Sequence, residues 1–500
     1  MKRDTDLLAV VDMGTSGCKV LLFDPSGKVV SSGFSGYANR QIPPDRVEQD
    51  PWVWWRSVSL ASGPALGKIT SPEQVKALSV SAQRASAIPV DGNGNPLRAA
   101  IQTQDKRSTP QCDRMRAALG EDEIYRRTGL VVDPYFVAPK ILWIQEEEPE
   151  IFAGAAKFLT VQDFITHQLT AEFAIDVSQA SRTLLFNITK RSWDPEILGA
   201  IGIETEKLPR AVAAGAVIGD LTSAAAKVTG FSKGTPVIAA GGDQPCAALG
   251  NGAIEPNILS ATTGTGTYVL ASRTRPTFDP QKRFLCSCHV LPDQWAIEAG
   301  ILVTGAALPW FLENFYEPKD GEDAYRALED MAAESSIGAR ELLFVPHFAG
   351  SKSPYWNPKA RACLYGLTLG HKRSDIARAL VEGIFLEVKK NIDLLVSEDT
   401  RDVEIRVSGG VTKSDFFNQL QADIYGLLLR RTSGEATSLG AAVLTAHTID
   451  WYASLPDAFE GMGTRAEMDV KHPTPAAHRQ YREVLKRHHE LYLALERAGF

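Results

Sequence analysis

Residues 10–24 read VVDMGTSGCKVLLFD, and this stretch decides how the rest of the chain is organised. One apolar run ends on Asp12 and Gly14, the chain turns through Thr15 and Ser16, and a second apolar run begins at once beside Lys19. The pattern predicts a β-hairpin with a carboxylate at a strand end and small polar residues at its tip. In the second half of the chain LSATTGTGTYVLAS (259–272) repeats the plan, with Gly264, Thr265, Gly266 and Thr267 at the turn. Tips rich in glycine and threonine offer N–H and hydroxyl groups that can wrap phosphate oxygens. Two of them predict one polyphosphate gripped from two sides. A third feature, VSGGVTKSDFFNQL (407–420), reads as a strand ending on Gly409 and Gly410 and opening directly into a helix. Its N–H groups are expected at a helix N-terminus, suited to an anion or nucleotide, with Ser414 beside it. Each feature alone also reads as a plain turn; the three in order, each after an apolar strand, point to nucleotide binding.

Composition sets the limits. Five hundred residues exceed one ordinary core and predict more than one domain. A hydrophobic share of 44%, a charged share of 23% and a net charge of −7 describe a soluble globular chain and argue against a nucleic-acid surface. No apolar run is long enough for a membrane span. The N-terminus shows no signal-peptide pattern, and six scattered cysteines suit reduced thiols, so a cytoplasmic location is expected. The CSCH cluster at 286–289 is too tight for a zinc knuckle and lacks a second pair.

Strands and helices alternate along the chain. KVLLFDPSGKVVSSGFSGY predicts a strand, a DPSGK turn and a further strand; PWVWWRSVSLASGPAL has helical spacing, with tryptophans suited to packing. ASAIPVDGNGNPLRAAIQTQD is expected to form another hairpin, and residues 110–230 to be mostly helical. TPVIAAGGD and EIRVSGG read as further strands, and the long amphipathic stretch from His478 to Gly499 as a terminal helix.

These motifs resemble the FGGY carbohydrate kinases of the actin-like ATPase superfamily over roughly residues 7–450. DMGTSGCKVLLFD is similar to the first phosphate motif, AAGGDQPCAALGNGAI (239–254) to the segment with the catalytic aspartate and TTGTGTYVLAS to the second phosphate motif. VSGGVTKSDFFNQLQADIYG and EATSLGAAVLTA (435–446) are similar to the adenosine motif and closing helix. The resemblance implies an α/β fold of two actin-like, ribonuclease H-like domains flanking a deep cleft for ATP and sugar. An N-terminal domain over 1–249 would hold sugar and the first hairpin, and a C-terminal domain over 250–500 the nucleotide. DPYF (133–136), ASRTLLFNI (180–188), QDKRS (104–108) and SPYWNPKARACLYGLT (353–368) resemble glycerol kinases, whereas GTSGCK and VEQDPWVWW resemble xylulose kinases.

Phosphoryl transfer to an alcohol needs a proton acceptor and a means of neutralising phosphate charge. The resemblance makes Asp243 the general base, its two preceding glycines letting substrate approach; an Asx-turn or N-cap is the plainer reading. Asp12 would help hold Mg²⁺ through water, or merely end a strand. Gly14, Thr15, Ser16 and Lys19 would cradle phosphate from one hairpin and Gly264, Thr265, Gly266 and Thr267 from the other. Gly305, Gly409, Gly410 and Ser414 would line the nucleotide. Arg84, Tyr135 and the pair Asp243–Gln244 match substrate-contacting positions, while Ala85 and Thr103 stand where glycerol kinases carry Glu and Trp. This enlarged site points to a pentulose such as xylulose, with glycerol as the alternative. A non-catalytic actin-like ATP- and sugar-binding protein is the reading from another class. The expected partners are a small sugar or polyol, with no nucleic acid and no membrane, and homodimerisation stays open.

Overall fold

Leu7–Met13 is buried along nearly its whole length because it lies in the interior of a sheet covered on both faces. The computed structural model describes residues 6–316, 323–396, 400–432, 434–462 and 469–499. Leu7–Met13 pairs antiparallel with Gly17–Phe23, which pairs antiparallel with Val29–Gly36. On its other side come Val75–Ala82 and Pro236–Gly242, both parallel, and then antiparallel Val217–Asp220. The turn between the second and third strands is the expected one. Asp24 Oδ1 accepts from the backbone of Ser26 and Lys28, and the Gly27 N–H donates to Asp24 O.

The second sheet repeats this plan. Ile258–Thr263 pairs antiparallel with Thr267–Arg273, which pairs antiparallel with Trp295–Ile301. Its other edge takes Glu404–Gly409 and Leu428–Arg431 in parallel, then antiparallel Val470–Lys471. One strand, Leu285–Cys288, is added at the far edge. The two hairpins therefore occupy equivalent places in two copies of one topology.

Each half also covers the other. Helix Asp243–Gly250, which follows the first sheet, packs on Ile258–Thr263 and Thr267–Arg273. Its counterpart Ala436–Thr448, from the second half, packs on Leu7–Met13 and Val75–Ala82. The helices cross glycine on glycine. A Cβ on Gly250 would lie 1.9 Å from Ala436 O, and one on Gly440 would lie 1.9 Å from Cys246 O. The expected division at 249/250 falls at the end of the first of these helices.

Helix Pro51–Leu66 starts where Asp50 caps the Trp52 N–H, and it buries Trp54, Val58, Ala61 and Ala65 against the first sheet. Between 109 and 170, helix Val161–Thr170 packs on that sheet, while Thr109–Leu119, Glu121–Thr128 and Val137–Glu147 build a separate apolar cluster. One expectation is refined and one corrected. The stretch from Ala85 to Asp105 doubles back as expected, with antiparallel bridges at Ala87–Ile101 and Val90–Pro96 around a turn closed by the Asp91 and Gly94 N–H groups, while its short strands find their ladders elsewhere. Ile88–Val90 pairs with Lys157–Leu159, and Ala100–Ile101 with Arg46–Gln49, because these apolar residues are buried better by tertiary neighbours than by each other. Nor do Gly409 and Gly410 open an α-helix. A 3₁₀ turn, Gly410–Lys413, intervenes, and helix Asp415–Tyr425 begins after Ser414, whose Oγ caps the Phe417 N–H.

Candidate active site

Asp12 and Asp243 come together where the two halves meet. Asp12 stands near the end of Leu7–Met13 and accepts a hydrogen bond from Ser438 Oγ at 3.0 Å. Asp243 opens its helix in the first turn, and Thr437 Oγ1 donates to its backbone carbonyl at 3.4 Å. The start of helix Ala436–Thr448 thus touches both aspartates, and the glycine crossing is what lets it approach so closely. Burial, reinforced by the neighbouring Asp243, lifts the Asp12 carboxyl to about 7, although the Ser438 bond opposes the rise. Burial also raises the Asp243 carboxyl, against the pull of Arg84.

Asp243 does not cap its helix. Its Oδ1 accepts from the Gln244 N–H at 2.8 Å and lies 3.2 Å from Arg84 Nε. Both preceding glycines are tightly packed. Gly241 has φ +128° and a Cβ on it would lie 2.4 Å from Val290, while a Cβ on Gly242 would lie 2.7 Å from the Arg84 side chain, so Gly242 makes room for Arg84. Ser178 Oγ accepts from the Gly242 N–H and donates to Asp176, which fixes this corner.

Arg84 is buried and also donates to Glu298 Oε2 at 2.7 Å, while Arg182 donates to Glu298 Oε1 at 3.1 Å. Burial alone would raise the Glu298 carboxyl; the two guanidiniums, Arg182 foremost, outweigh it and hold the group at about 2. Tyr268 spreads its ring beside Arg84 because Gly300, opposite it in the sheet, has no side chain; a Cβ there would lie 2.8 Å from the ring. Tyr135 lies edge-on to Phe136, and the Lys352 ammonium stands 3.8 Å from the Tyr135 ring centroid. Lys140, buried behind it, donates to Tyr135 O and Ala85 O and so holds Ala85 at φ +66°. Gln244 Oε1 is buried with no hydrogen-bond partner among the described residues, beside Asp243. Thr103 stands apart from this cluster, its hydroxyl donated to neighbouring Gln104.

The hairpin tips divide into internal and outward-facing groups. Gly14 N–H donates to Gly17 O, and Gly264 N–H to Gly266 O, closing each tip. Thr15, Ser16, Gly264 and Thr265 are exposed. Thr267 is buried, its hydroxyl bonded to those of Thr263 and Thr304. Glycines Gly266, Gly305 and Gly409 are required by close backbone approach, since a Cβ on each would lie within 2.2 Å of Ile301 O, Gly264 O and Thr263 O respectively. Gly264 and Gly410 would meet nothing within 4 Å and face open space. Lys19 pairs with Glu435 at 2.9 Å across the halves.

Sequence reading missed Glu298, Arg182, Tyr268, Lys352 and Ser438. Glu298 carried a signal, a charge in the middle of the apolar strand WAIEAGI. Ser438 lay inside a motif already singled out; Lys352 carried no signal at all. No group of three or more His, Cys, Asp or Glu among the described residues could chelate a metal, and no described helix is long and apolar enough to cross a membrane.

Residues 7–250 match the FGGY family of carbohydrate kinases, N-terminal domain, and residues 259–449 match the C-terminal domain of that family. A xylulose kinase from Escherichia coli is 31% identical over 436 residues, covering 87% of this chain and 88% of that protein. A glycerol kinase from Thermococcus gammatolerans is 33% identical over 464 residues, covering 89% and 90%. The crystal structure of a xylulose kinase from Lactobacillus acidophilus superposes with a TM-score of 0.91 at 25% identity, covering 98% of both chains.

Proposed function

Since the chain belongs to the FGGY family of carbohydrate kinases, we propose that it transfers the γ-phosphoryl group of ATP to a terminal hydroxyl of a small sugar, with a ketopentose such as xylulose as the acceptor. The observation that carries this reading is the triad of Asp243, Arg84 and Gln244, a carboxylate with raised proton affinity held between a guanidinium and an unpaired amide oxygen. Asp243 takes the proton of the attacking hydroxyl, Arg84 fixes the carboxylate, and Gln244 Oε1 accepts from a neighbouring hydroxyl of the sugar. Tyr135 forms one wall.

On the nucleotide side, the exposed tips at Thr15–Ser16 and Gly264–Thr265 face the phosphates, with Lys19 close by, and Gly410 and Ser414 lie beside the nucleoside. Gly305, Gly266, Gly409 and Thr267 act by holding these tips in shape. Mg²⁺ keeps much of its water and takes few protein ligands. Asp12, strained by Asp243 beside it, is the residue that would hold that ion, whose charge would offset phosphate charge when bound.

Glycerol is the second reading, favoured by the glycerol kinase relative and by DPYF around Tyr135. The kcat/KM ratio for xylulose over glycerol decides between them: a value above one is expected, and a value below one returns the acceptor to glycerol. Asp243→Asn keeps the shape and removes the proton acceptor, so turnover should fall by about 10²- to 10⁴-fold with ATP affinity little changed. Near-normal turnover would remove Asp243 from the role.

A further inference from the structure

Three cations converge on the acceptor side of the cleft, and one of them, Lys352, forms no ion pair among the described residues. Arg84 reaches both Asp243 and Glu298, and Arg182 reaches the other oxygen of Glu298. Lys352 comes from the loop between strands Leu343–Val345 and Cys363–Tyr365, in the second half of the chain. Its ammonium stands 3.8 Å from the centroid of the Tyr135 ring and 5.5 Å from that of Tyr268. The Arg84 guanidinium lies 6.0 Å from the same Tyr268 ring. Among the described residues the ammonium forms neither an ion pair nor a hydrogen bond, and Asp133 acts on it only from longer range. Lys352 is half-buried, and the ammonium, lying over these aromatic faces, finds no protein acceptor for its N–H groups among the described residues. Burial correspondingly lowers the Lys352 pKa.

The donors and acceptors of the site are sorted by end. Asp243 and the unpaired Gln244 Oε1 are acceptors, suited to hydroxyl protons. Toward Lys352 the unsatisfied groups are donors, with Arg182 Nε and Nη1 also buried without partners and both Glu298 oxygens already bonded. An alcohol placed there could give its proton only to a tyrosine hydroxyl or to water, whereas a carbonyl or carboxylate oxygen accepts from these donors without needing a partner of its own. We infer that Lys352 is a specificity-determining residue that donates to the sp² oxygen of the acceptor, the carbonyl of a ketose or the carboxylate of an aldonate, and so selects such sugars over the polyol of equal length. The inference rests on the kinase reading and narrows its substrate class.

The test compares xylulose, xylonate and xylitol, which share a five-carbon chain and differ in that oxygen, on the wild type, Lys352→Met and Lys352→Arg. The wild type should favour xylulose or xylonate over xylitol by at least about tenfold, and whichever is preferred identifies the carbonyl or the carboxylate as the group read. Lys352→Met should lose about 10- to 100-fold in kcat/KM on that acceptor and under about threefold on xylitol. The KM for ATP should stay unchanged, and Lys352→Arg should keep most of the preference. Equal loss on all three compounds would mean that Lys352 only braces the cleft against Tyr135, and would overturn the inference, as would no loss on any. Should no acceptor support turnover, the kinase reading itself falls, and calorimetric affinities decide this inference separately: tighter binding of xylulose or xylonate that Lys352→Met removes upholds it, and equal affinities overturn it.

Discussion

Asp12 is a carboxylate that the fold keeps in a place unfavourable to its charge. An aspartate in an unfolded chain titrates near 3.9, and here burial and Asp243 lift it to about 7. Between those values the folded protein binds more protons than the unfolded chain, so this group's contribution to stability falls as pH rises from about 4 to about 7 and stays unfavourable above. Asp12→Asn keeps the Ser438 contact and removes the charge. It should raise stability at pH 8 by about 1–3 kcal/mol, discounted because the carboxylate is partly open to the cleft, and change it little at pH 4, while kinase activity collapses. Equal melting temperatures for the two proteins at pH 8 would sink the account. If Asp12 holds Mg²⁺, the acid limb of the activity profile should also move to lower pH as Mg²⁺ is raised, and a limb indifferent to Mg²⁺ would refute that role. Residues such as Asp12, Asp243, Arg84 and Gln244 were legible because each lies at or just beyond a strand end inside a local motif. Glu298 and Lys352 were not, because what they do depends on partners far away in sequence; Arg84 and Glu298 are 214 positions apart.

At the scale of elements, the crossing of helices Asp243–Gly250 and Ala436–Thr448 sets the distance between the aspartates and the groups that bind them. Any Cβ at Gly440 meets backbone, Cys246 O at 1.9 Å and Gly250 N at 2.8 Å, with no flexible side chain to give way. Gly440→Ala should therefore cost about 1–3 kcal/mol. Activity should suffer more than that loss of folded protein explains, since the displaced turn carries Thr437 and Ser438. Gly199, exposed within helix Pro195–Ile201 with nothing within 4 Å of its Cβ direction, is the control. Gly199→Ala should stabilise by about 0.5–1 kcal/mol and leave turnover alone. Chemical denaturation of both variants, with specific activity measured on the folded fraction, checks the pair; a harmless Gly440→Ala would show that the crossing is loose. The two phosphate-type hairpins and the long helices were readable because turn chemistry and periodicity are local. The turn of Ala85–Asp105 was readable for the same reason, but not the tertiary ladders of its arms with Lys157–Leu159 and Arg46–Gln49, which no local pattern announces. Similarly, nothing in SGGVTKS distinguishes a 3₁₀ turn from a first α-helical turn.

For the molecule as a whole, duplication explains why one chain carries two such hairpins: each copy of the topology supplies one, and the exchanged helices bring them to a common junction. Apolar packing of the exchanged helices spans that junction, and around the site charged and polar groups also cross it: Lys19 to Glu435, Asp12 to Ser438, Arg84 to Glu298, and Lys352 over Tyr135. A kinase cleft must exclude water when both substrates are present, or ATP is hydrolysed in place of transfer. The sequence suggests a hinge over residues 245–257. Asn251 within that stretch is buried and bonded to Ser260, Ser408 and Thr432, so it travels with the second sheet. The pivot is then the glycine crossing itself, where two helices touch backbone to backbone. Small-angle scattering should show a smaller radius of gyration with acceptor and a nonhydrolysable ATP analogue together than with either alone. Gly440→Ala, by jamming the crossing, should shrink that difference. A ternary complex no more compact than the free protein would exclude closure, and full compaction in Gly440→Ala would place the pivot elsewhere.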